Sequence, residues 1–393
     1  MQRPILTSLA LLALSACSTP AAGLFSPPPP DSAQAALSAY YDTISDSELP
    51  QAGVGQALPG AEQVMTKILV GSCLDEEKGP SKALSQIAAE QADLFLMVGD
   101  NVYGDRDGRS YVNNDADLME VRQSFADLAA REDFQAVRSS TPMMVAWDDH
   151  DYGANDAGGE FVFKELAERI HEVFWGLNAQ DVGQWPGTYY ARSFGPDGQR
   201  VQIIMLDTRY FRSALKPTDD WGAKGKERYL SMPDSEYQDM LGAAQWTWLE
   251  NQLQQPADIR LLVSSVQVLP TVHGWEAWSQ MPEERQRLFE MIQRTQAKGV
   301  VFVSGDRHTS FLYQEAEMLP YTAAELTASS LNVSFATESD EVDARQLGSG
   351  FPPENYGAIE IDWAARKLLL KLKNNQGQTV RLNQLDFSDL GVQ

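Results

Sequence analysis

The chain has 393 residues, 43% of them hydrophobic and 22% charged, an ordinary globular composition that can bury a large core. Its formal net charge of −24 excludes a broad nucleic-acid groove, because phosphate backbones need a Lys- and Arg-rich face; a local basic pocket for a small anion stays open. The length allows one large domain or two medium ones.

Residues 1–16 read as a signal peptide. Arg3 supplies a positive start, and Ile5 to Leu14 is an apolar run too short to span a bilayer. Leu14-Ser15-Ala16 before Cys17 resembles a bacterial lipoprotein signal, with cleavage before Cys17 and lipid on its thiol and new amino group. The bland alternative is an ordinary secretory signal with a chance cysteine. Ser18 rather than Asp after the cysteine fits the outer membrane of a two-membrane cell. The expected location is the cell envelope, on the periplasmic side or the surface. Residues 17–60, with Pro27 to Pro30, read as a Pro/Ala/Ser-rich tether with one short helix around Ala33–Ile44. The one other cysteine is Cys73, so lipidation of Cys17 leaves no intrachain disulfide.

Residues 61–393 read as one α/β domain. Short apolar runs end abruptly in reactive residues: KILVGSC (67–73), LFLMVGDNVYGD (94–105), MMVAWDDHD (143–151), VQIIMLDTRYF (201–211), IRLLVSSVQ (259–267) and GVVFVSGDRH (299–308). Helical periodicity fills Ser81–Ala92, Phe161–Leu177, Ala243–Leu253 and Glu283–Lys298. Lys216–Pro233 reads as a long surface loop. Ala358–Trp363, Lys367–Lys373 and Thr379–Leu385 read as a β-meander completing a sheet edge. Strands alternating with helices predict ligands at the strand carboxyl ends, where these polar residues gather.

Four strand ends carry most of the signal: Cys73, Asp100, the stretch AWDDHDYGAND (146–156), and Asp306 with His308. Donors delivered from separate strands can surround two metal ions about 3.5–4 Å apart, which clamp the attacking and leaving oxygens of a phosphoryl transfer. With only four histidines, His150, His171, His273 and His308, a histidine-rich pair is unavailable. His171 reads as a flanking surface position on its helix, and His273, after the fifth strand, as a loop residue packed among Trp275 and Trp278 or as a lining of the pocket. That indole pair reads as core packing or as a wall for an apolar or sugar group. Thiolate, phenolate and imidazole suit a transition metal, and carboxylate and amide suit Ca²⁺, Mg²⁺ or Mn²⁺, so the residues hint at a mixed pair. Two rival readings are a serine hydrolase using Ser72, Ser265 or Ser304, for which no GxSxG elbow exists, and a calcium-binding surface lipoprotein without turnover.

The motifs GSC (71–73), GDNVYGD (99–105), WDDHDYGAND (147–156), LDTRYFR (206–212) and SGDRHTS (304–310) together resemble the alkaline phosphatase D (PhoD-like) family of metallophosphoesterases, from about residue 65 to residue 332. The resemblance implies a four-layer sandwich, two mixed β-sheets face to face with helices outside. It implies Fe³⁺ and Ca²⁺, with other divalent metals open, and hydrolysis of small phosphomonoesters or phosphodiesters. Cys73, Tyr103 and His308 are similar to iron ligands, Asp100 to the bridging carboxylate, and Asn155 and Asp306, with Asp149 close by, to calcium-side ligands. His150 matches a phosphate contact or proton donor. Arg209 is a candidate phosphate clamp, weighed equally against a surface or interdomain salt bridge. Many members carry an N-terminal β-sandwich domain for which residues 17–60 leave no room. Partners are therefore a small phosphoester and, through Cys17, a membrane; no protein partner is predicted.

Overall fold

The computed structural model describes residues 30–107, 110–178, 182–335 and 341–393. The expected signal peptide, Cys17 and the first part of the tether lie outside the described residues. Two six-stranded mixed sheets dominate. The first runs β16-β15-β14-β1-β2-β5, with β1 (Lys67–Gly71), β2 (Leu94–Val98) and β5 (Met143–Ala146) parallel. The meander β14 (Asn355–Asp362), β15 (Lys367–Asn374) and β16 (Thr379–Asp386) continues it antiparallel, as the sequence predicts. The second runs β12-β13-β11-β10-β7-β6. Its parallel centre is β7 (Val201–Met205), β10 (Ile259–Val263), β11 (Val300–Ser304) and β13 (Ala323–Thr327). The antiparallel edges are β6 (Tyr190–Phe194) and β12 (Phe311–Glu315). Two small hairpins, β3 (Arg106–Asp107) with β4 (Ser110–Tyr111) and β8 (Lys216–Pro217) with β9 (Tyr229–Leu230), stand apart.

Period-two alternation assigns each strand two faces. Ile203, Met205, Leu261, Val263, Val301 and Val303 face the first sheet across one shared core. Their neighbours Ile204, Leu262, Val300 and Phe302 face the other way, into a second cluster. There α7 (Gly242–Leu253) supplies Trp246 and Leu249, and α8 (Pro282–Arg294) supplies Leu288, Phe289 and Ile292. On the outer side of the first sheet lie α2 (Lys82–Ala89), α3 (Met119–Ala130), α4 (Glu132–Ser140) and α6 (Lys164–Trp175). This is the expected four-layer α/β sandwich.

Two expectations change. The segment read as tether is packed over its second half. After α1 (Pro30–Tyr41), the side chains of Tyr41, Ile44, Leu49 and Ala52 enter the main core. Arg169 donates to the carbonyls of Tyr41 and Ile44 and to Asp46, Arg138 donates to the Gly53 carbonyl, and the Ala52 N–H donates to the Phe174 carbonyl. Composition announced a linker there, but four spaced apolar residues suffice to strap it down.

His171 is the second. It is fully buried, with Phe125, Trp147 and Trp175 around its ring, and neither ring nitrogen has a hydrogen-bond partner among the described residues. Burial pushes its pKa down to about 3. The folded state thus refuses a proton that the unfolded chain accepts near pH 6.5, and stability falls as pH drops through the window from about 6.5 to about 3. At pH 5 that single group costs about 2 kcal/mol relative to pH 8. His171→Leu should flatten this limb by that amount in urea titrations at the two pH values. An unchanged difference would remove His171 as its source. No helix among the described residues is long and apolar enough to cross a membrane.

Candidate active site

The site forms where the parallel strands of both sheets end. Cys73 lies two residues past β1, Asp100 two past β2, Asp149 opens the single-turn α5 (Asp149–Tyr152) after β5, and Asp306 and His308 follow β11. Cys73, Asp100, Asp306 and His308 all have left-handed backbones, with φ of 59°, 48°, 66° and 51°. Each such non-glycine residue costs on the order of 1–3 kcal/mol and persists only where its surroundings enforce it. The enforcing bonds include Leu74 N–H to the Asp100 carbonyl at 2.8 Å, Gly305 N–H to the Ser265 carbonyl at 2.8 Å and His308 N–H to Ser329 Oγ at 2.6 Å. Gly99 has φ 93°, and a Cβ there would meet Asp148 Cβ at 2.5 Å. A Cβ at Gly305, after β11 of the second sheet, would meet Ser72 Oγ, after β1 of the first, at 2.5 Å, so glycines before the reactive residues let neighbouring strand ends and the two sheets approach closely.

The donors fall into overlapping groups. Tyr103 Oη lies 2.9 Å from His308 Nε2 and 3.2 Å from Asp100 Oδ2, and Cys73 Sγ lies 3.5 Å from the same Asp100 oxygen. Donor atoms of Cys73, Asp100 and His308 lie within 4.8 Å of one another, and so do those of Asp100, Asp148, Asp149 and Asp306. Asp100 belongs to both sets. Asp149 also joins Asp156 and Glu276 in a third. Asp100 Oδ1 and Asp149 Oδ1 are buried with no hydrogen-bond partner; Arg209 Nη2 lies 3.8 Å from the second, but Asp100 Oδ1 is in an expensive state for a carboxylate unless a cation completes it. Burial and then neighbouring carboxylates drive the pKa values of Asp100 and Asp306 well up, so the cluster calls for positive charge. Burial, and then His150, Lys78 and Arg106, push His308 down to about 3, the neutral form that metal ligation requires. These residues fit metal ions.

The cavity above them has a volume of about 310 Å³. Asp149, His150, Asn155, Asp306 and His308 all line it, while Cys73, Asp100 and Tyr103 are buried at its floor. Asn155 Oδ1 accepts from Tyr111 Oη at 3.2 Å. His150 Nδ1 is held by Asp105 Oδ1 at 2.6 Å. Burial opposes charge on that ring, but Asp149, Asp100 and Asp105 outweigh it and raise its pKa well above the ordinary value. The other acids of the 147–156 stretch build the loop. Asp148 and Asp151 form a capping box on α5, and Asp151 also accepts from the Asn101 and Val102 N–H groups. Asp156 accepts from Arg228 Nη1 and Tyr229 Oη, both at 2.6 Å, pinning the 216–230 segment against the site.

Arg209 does not reach the cavity. It is fully buried, donating from Nε to Asp148 at 2.5 Å and from Nη1 and Nη2 to Glu276 at 2.8 and 2.5 Å. Its Nη2 also lies 3.8 Å from Asp149 Oδ1, so its ion pairs are buried ones and neither at the surface nor between domains. Arg106, Arg228 and Arg307 line the cavity instead, with Arg228 set 5.3 Å from the Trp275 ring centroid. Trp275 is a cavity wall, whereas Trp278 is core and donates to Ser264 Oγ. His273 is buried against Gln267 Oε1 at 3.1 Å and is absent from the donor groups. Ser72, Ser265 and Ser304 are fully buried and bonded to the Ala328 carbonyl, Asp148 and Glu325, which removes the serine nucleophile.

Sequence reasoning missed Asp105, Glu276, Arg106, Tyr111 and Arg228. Asp105 stood in view, as the last residue of GDNVYGD. Glu276 sat beside Trp275 without a motif to mark it. The others arrive through hairpins whose two-residue strands leave no periodic trace.

A profile of the family described as PhoD-like phosphatase matches residues 68–172 and 180–364. Alkaline phosphatase D of Bacillus subtilis (strain 168) is 24% identical over 351 residues, 81% of this chain and 56% of that protein. The chain thus spans about half the length of this curated relative. The solved structure of PhoD matches with a TM-score of 0.65 at 17% identity, over 85% of this chain and 72% of that one, a likeness of fold.

Proposed function

The chain belongs to the PhoD-like phosphatase family, and from that premise we propose that it is a metal-dependent phosphoesterase hydrolysing small phosphomonoesters or phosphodiesters at a dinuclear centre. The observation that carries this is Asp100, shared by two donor groups and left with a buried, unpartnered oxygen between them. Cys73, Tyr103 and His308 make the softer side, suited to Fe³⁺, and Asp149, Asn155 and Asp306 the oxygen side, suited to Ca²⁺, with Asp100 between. When bound, such ions polarise the phosphoryl group and make water acidic enough to attack at neutral pH. The test is metal analysis of purified protein together with turnover of aryl phosphates. Full turnover by metal-free protein in excess chelator would sink the proposal; bound calcium with no turnover would favour a binding lipoprotein instead.

The chain's own groups position and protonate. Asp105 fixes His150 through Nδ1, leaving Nε2 to donate to a phosphoryl oxygen or to the departing alkoxide. Neutralising Asp149 and Asp100 would leave Asp105 as the standing support of that proton. Arg228, held by Asp156, offers its remaining N–H groups to the phosphate. Asp105→Asn should lower kcat about 10²-fold with KM changed little, because orientation and proton supply are lost while the cavity keeps its shape. Unaltered kcat would mean that His150 needs no partner.

Anchoring belongs to the same proposal. Cys17 would carry lipid and hold the domain at the outer membrane of the cell envelope, a reading that the small residues before Cys17 support. Labelled palmitate that still enters a Cys17→Ser chain would refute it.

A further inference from the structure

Resting on the phosphoesterase reading, we infer that the cavity contains an anion subsite built from Arg106 and Lys78, and that the preferred substrate carries a second negative charge, carboxylate or phosphate, on its leaving group. On a chain of net charge −24, cations turned toward one small cavity need a reason. Arg307 has one, being buried and bonded to Glu341 and Gln267. Arg228 has Asp156. Arg106 has none: no carboxylate or carbonyl among the described residues accepts from its guanidinium.

The local structure holds Arg106 there. Arg106 and Tyr111 are cross-strand partners in the β3–β4 hairpin, and both line the cavity. The guanidinium lies 5.2 Å from the Tyr103 ring centroid and 5.1 Å from that of Tyr111. Two rings fix its plane and accept no hydrogen bond in it, so its five N–H donors remain for a ligand. Its strand neighbour Asp107 belongs to the opposite face, in an exposed acidic group with Glu77 and Glu120. Lys78, also on the cavity wall, is half-exposed and 3.7 Å from Asp75 Oδ2. Both cations line the same cavity as His308.

The side of the cavity matters. Tyr111 stacks on His150, with centroids 6.4 Å apart and planes 19° off parallel. If His150 protonates the leaving oxygen, Arg106 and Tyr111 flank the leaving group and not the transferred phosphoryl. A planar pair of N–H donors beside it recognises a carboxylate or a second phosphate equally well.

The experiment uses metal-loaded full-length protein and three esters with matched leaving phenols: 4-methylphenyl, 4-(carboxymethyl)phenyl and 4-(phosphonomethyl)phenyl phosphate, each also as its methyl diester. The expected kcat/KM is about tenfold higher for the two anionic esters, falling to about twofold in 0.5 M KCl. The ratio between them states which anion is preferred. Arg106→Gln should reduce the preference to twofold or less, Lys78→Gln should reduce it in part, and Arg106→Lys should restore some of it. Equal rates for all three esters overturn the inference. So does an Arg106→Gln variant that slows all three alike, since Arg106 would then serve the scissile phosphate. No turnover of any ester overturns the phosphoesterase reading, and this inference with it.

Discussion

Asp100→Asn is expected to lower kcat/KM by about 10³-fold or more and to leave the purified protein short of metal. The estimate follows from position. Changing a group that merely orients a ligand costs 10–100-fold in metal affinity, and Asp100 belongs to both donor groups at once. The amide keeps the shape and the contacts of Oδ2 but brings no charge to join the two cations of the proposed centre. The same substitution should raise the melting temperature of the metal-free protein. Asp100 is buried beside Asp148, Asp149 and Asp306, and burial with that crowding already drives its pKa well up. Removing one acid relieves crowding that His150 offsets only in part. Calorimetry with and without chelator reads both effects. An Asp100→Asn protein that binds metal and turns over normally would end the bridging role.

Glu276→Gln is expected to cost about 3–5 kcal/mol of stability, by the known cost of breaking a buried ion pair from one side. Glu276 receives Arg209 from one direction and Arg212 Nη2 at 2.8 Å from another, and both guanidinium side chains are fully buried. Gln offers one acceptor where two cations need two, and no charge. Asp148 still holds Arg209, but Arg212 keeps only carbonyl partners, from Ser213 and Asp156. Urea denaturation at neutral pH measures the loss. The double variant Glu276→Leu with Arg212→Leu should recover part of it, since paired removal leaves no uncompensated charge. A loss below about 1 kcal/mol would show that the two arginines find other partners.

The legible part of this protein is the part written in period. Six apolar runs became six parallel strands, because burial on both faces demands unbroken Val, Ile, Leu and Met. The reactive residues at their ends converged because strand ends in such sheets share one rim. What stayed hidden was decided by context. Ala323–Thr327 reads Ala-Ala-Glu-Leu-Thr, a good helix sequence, yet forms a central strand. Its Glu325 is satisfied by the Val268 and Leu269 N–H groups and Ser304 Oγ, contacts that no local window contains. The partner of Arg209 was hidden for a similar reason. A guanidinium beside a strand end suits a phosphate and a buried carboxylate alike, and only Glu276, 67 positions away, decides between them.

The donors are divided between the two sheets. Cys73, Asp100 and Tyr103 come early in the chain, and Asp306 and His308 late, with Tyr103 and His308 205 positions apart yet touching. A ribosome that has made the first half has made no site. Strands β1, β2 and β5, without β14–β16 and the second sheet, offer an open cup of acids, a poor discriminator among cations. Selectivity therefore begins only when the sandwich closes, and the ions at hand in that place are the ones the protein will keep. Under the proposed anchoring in the cell envelope, the compartment does the choosing.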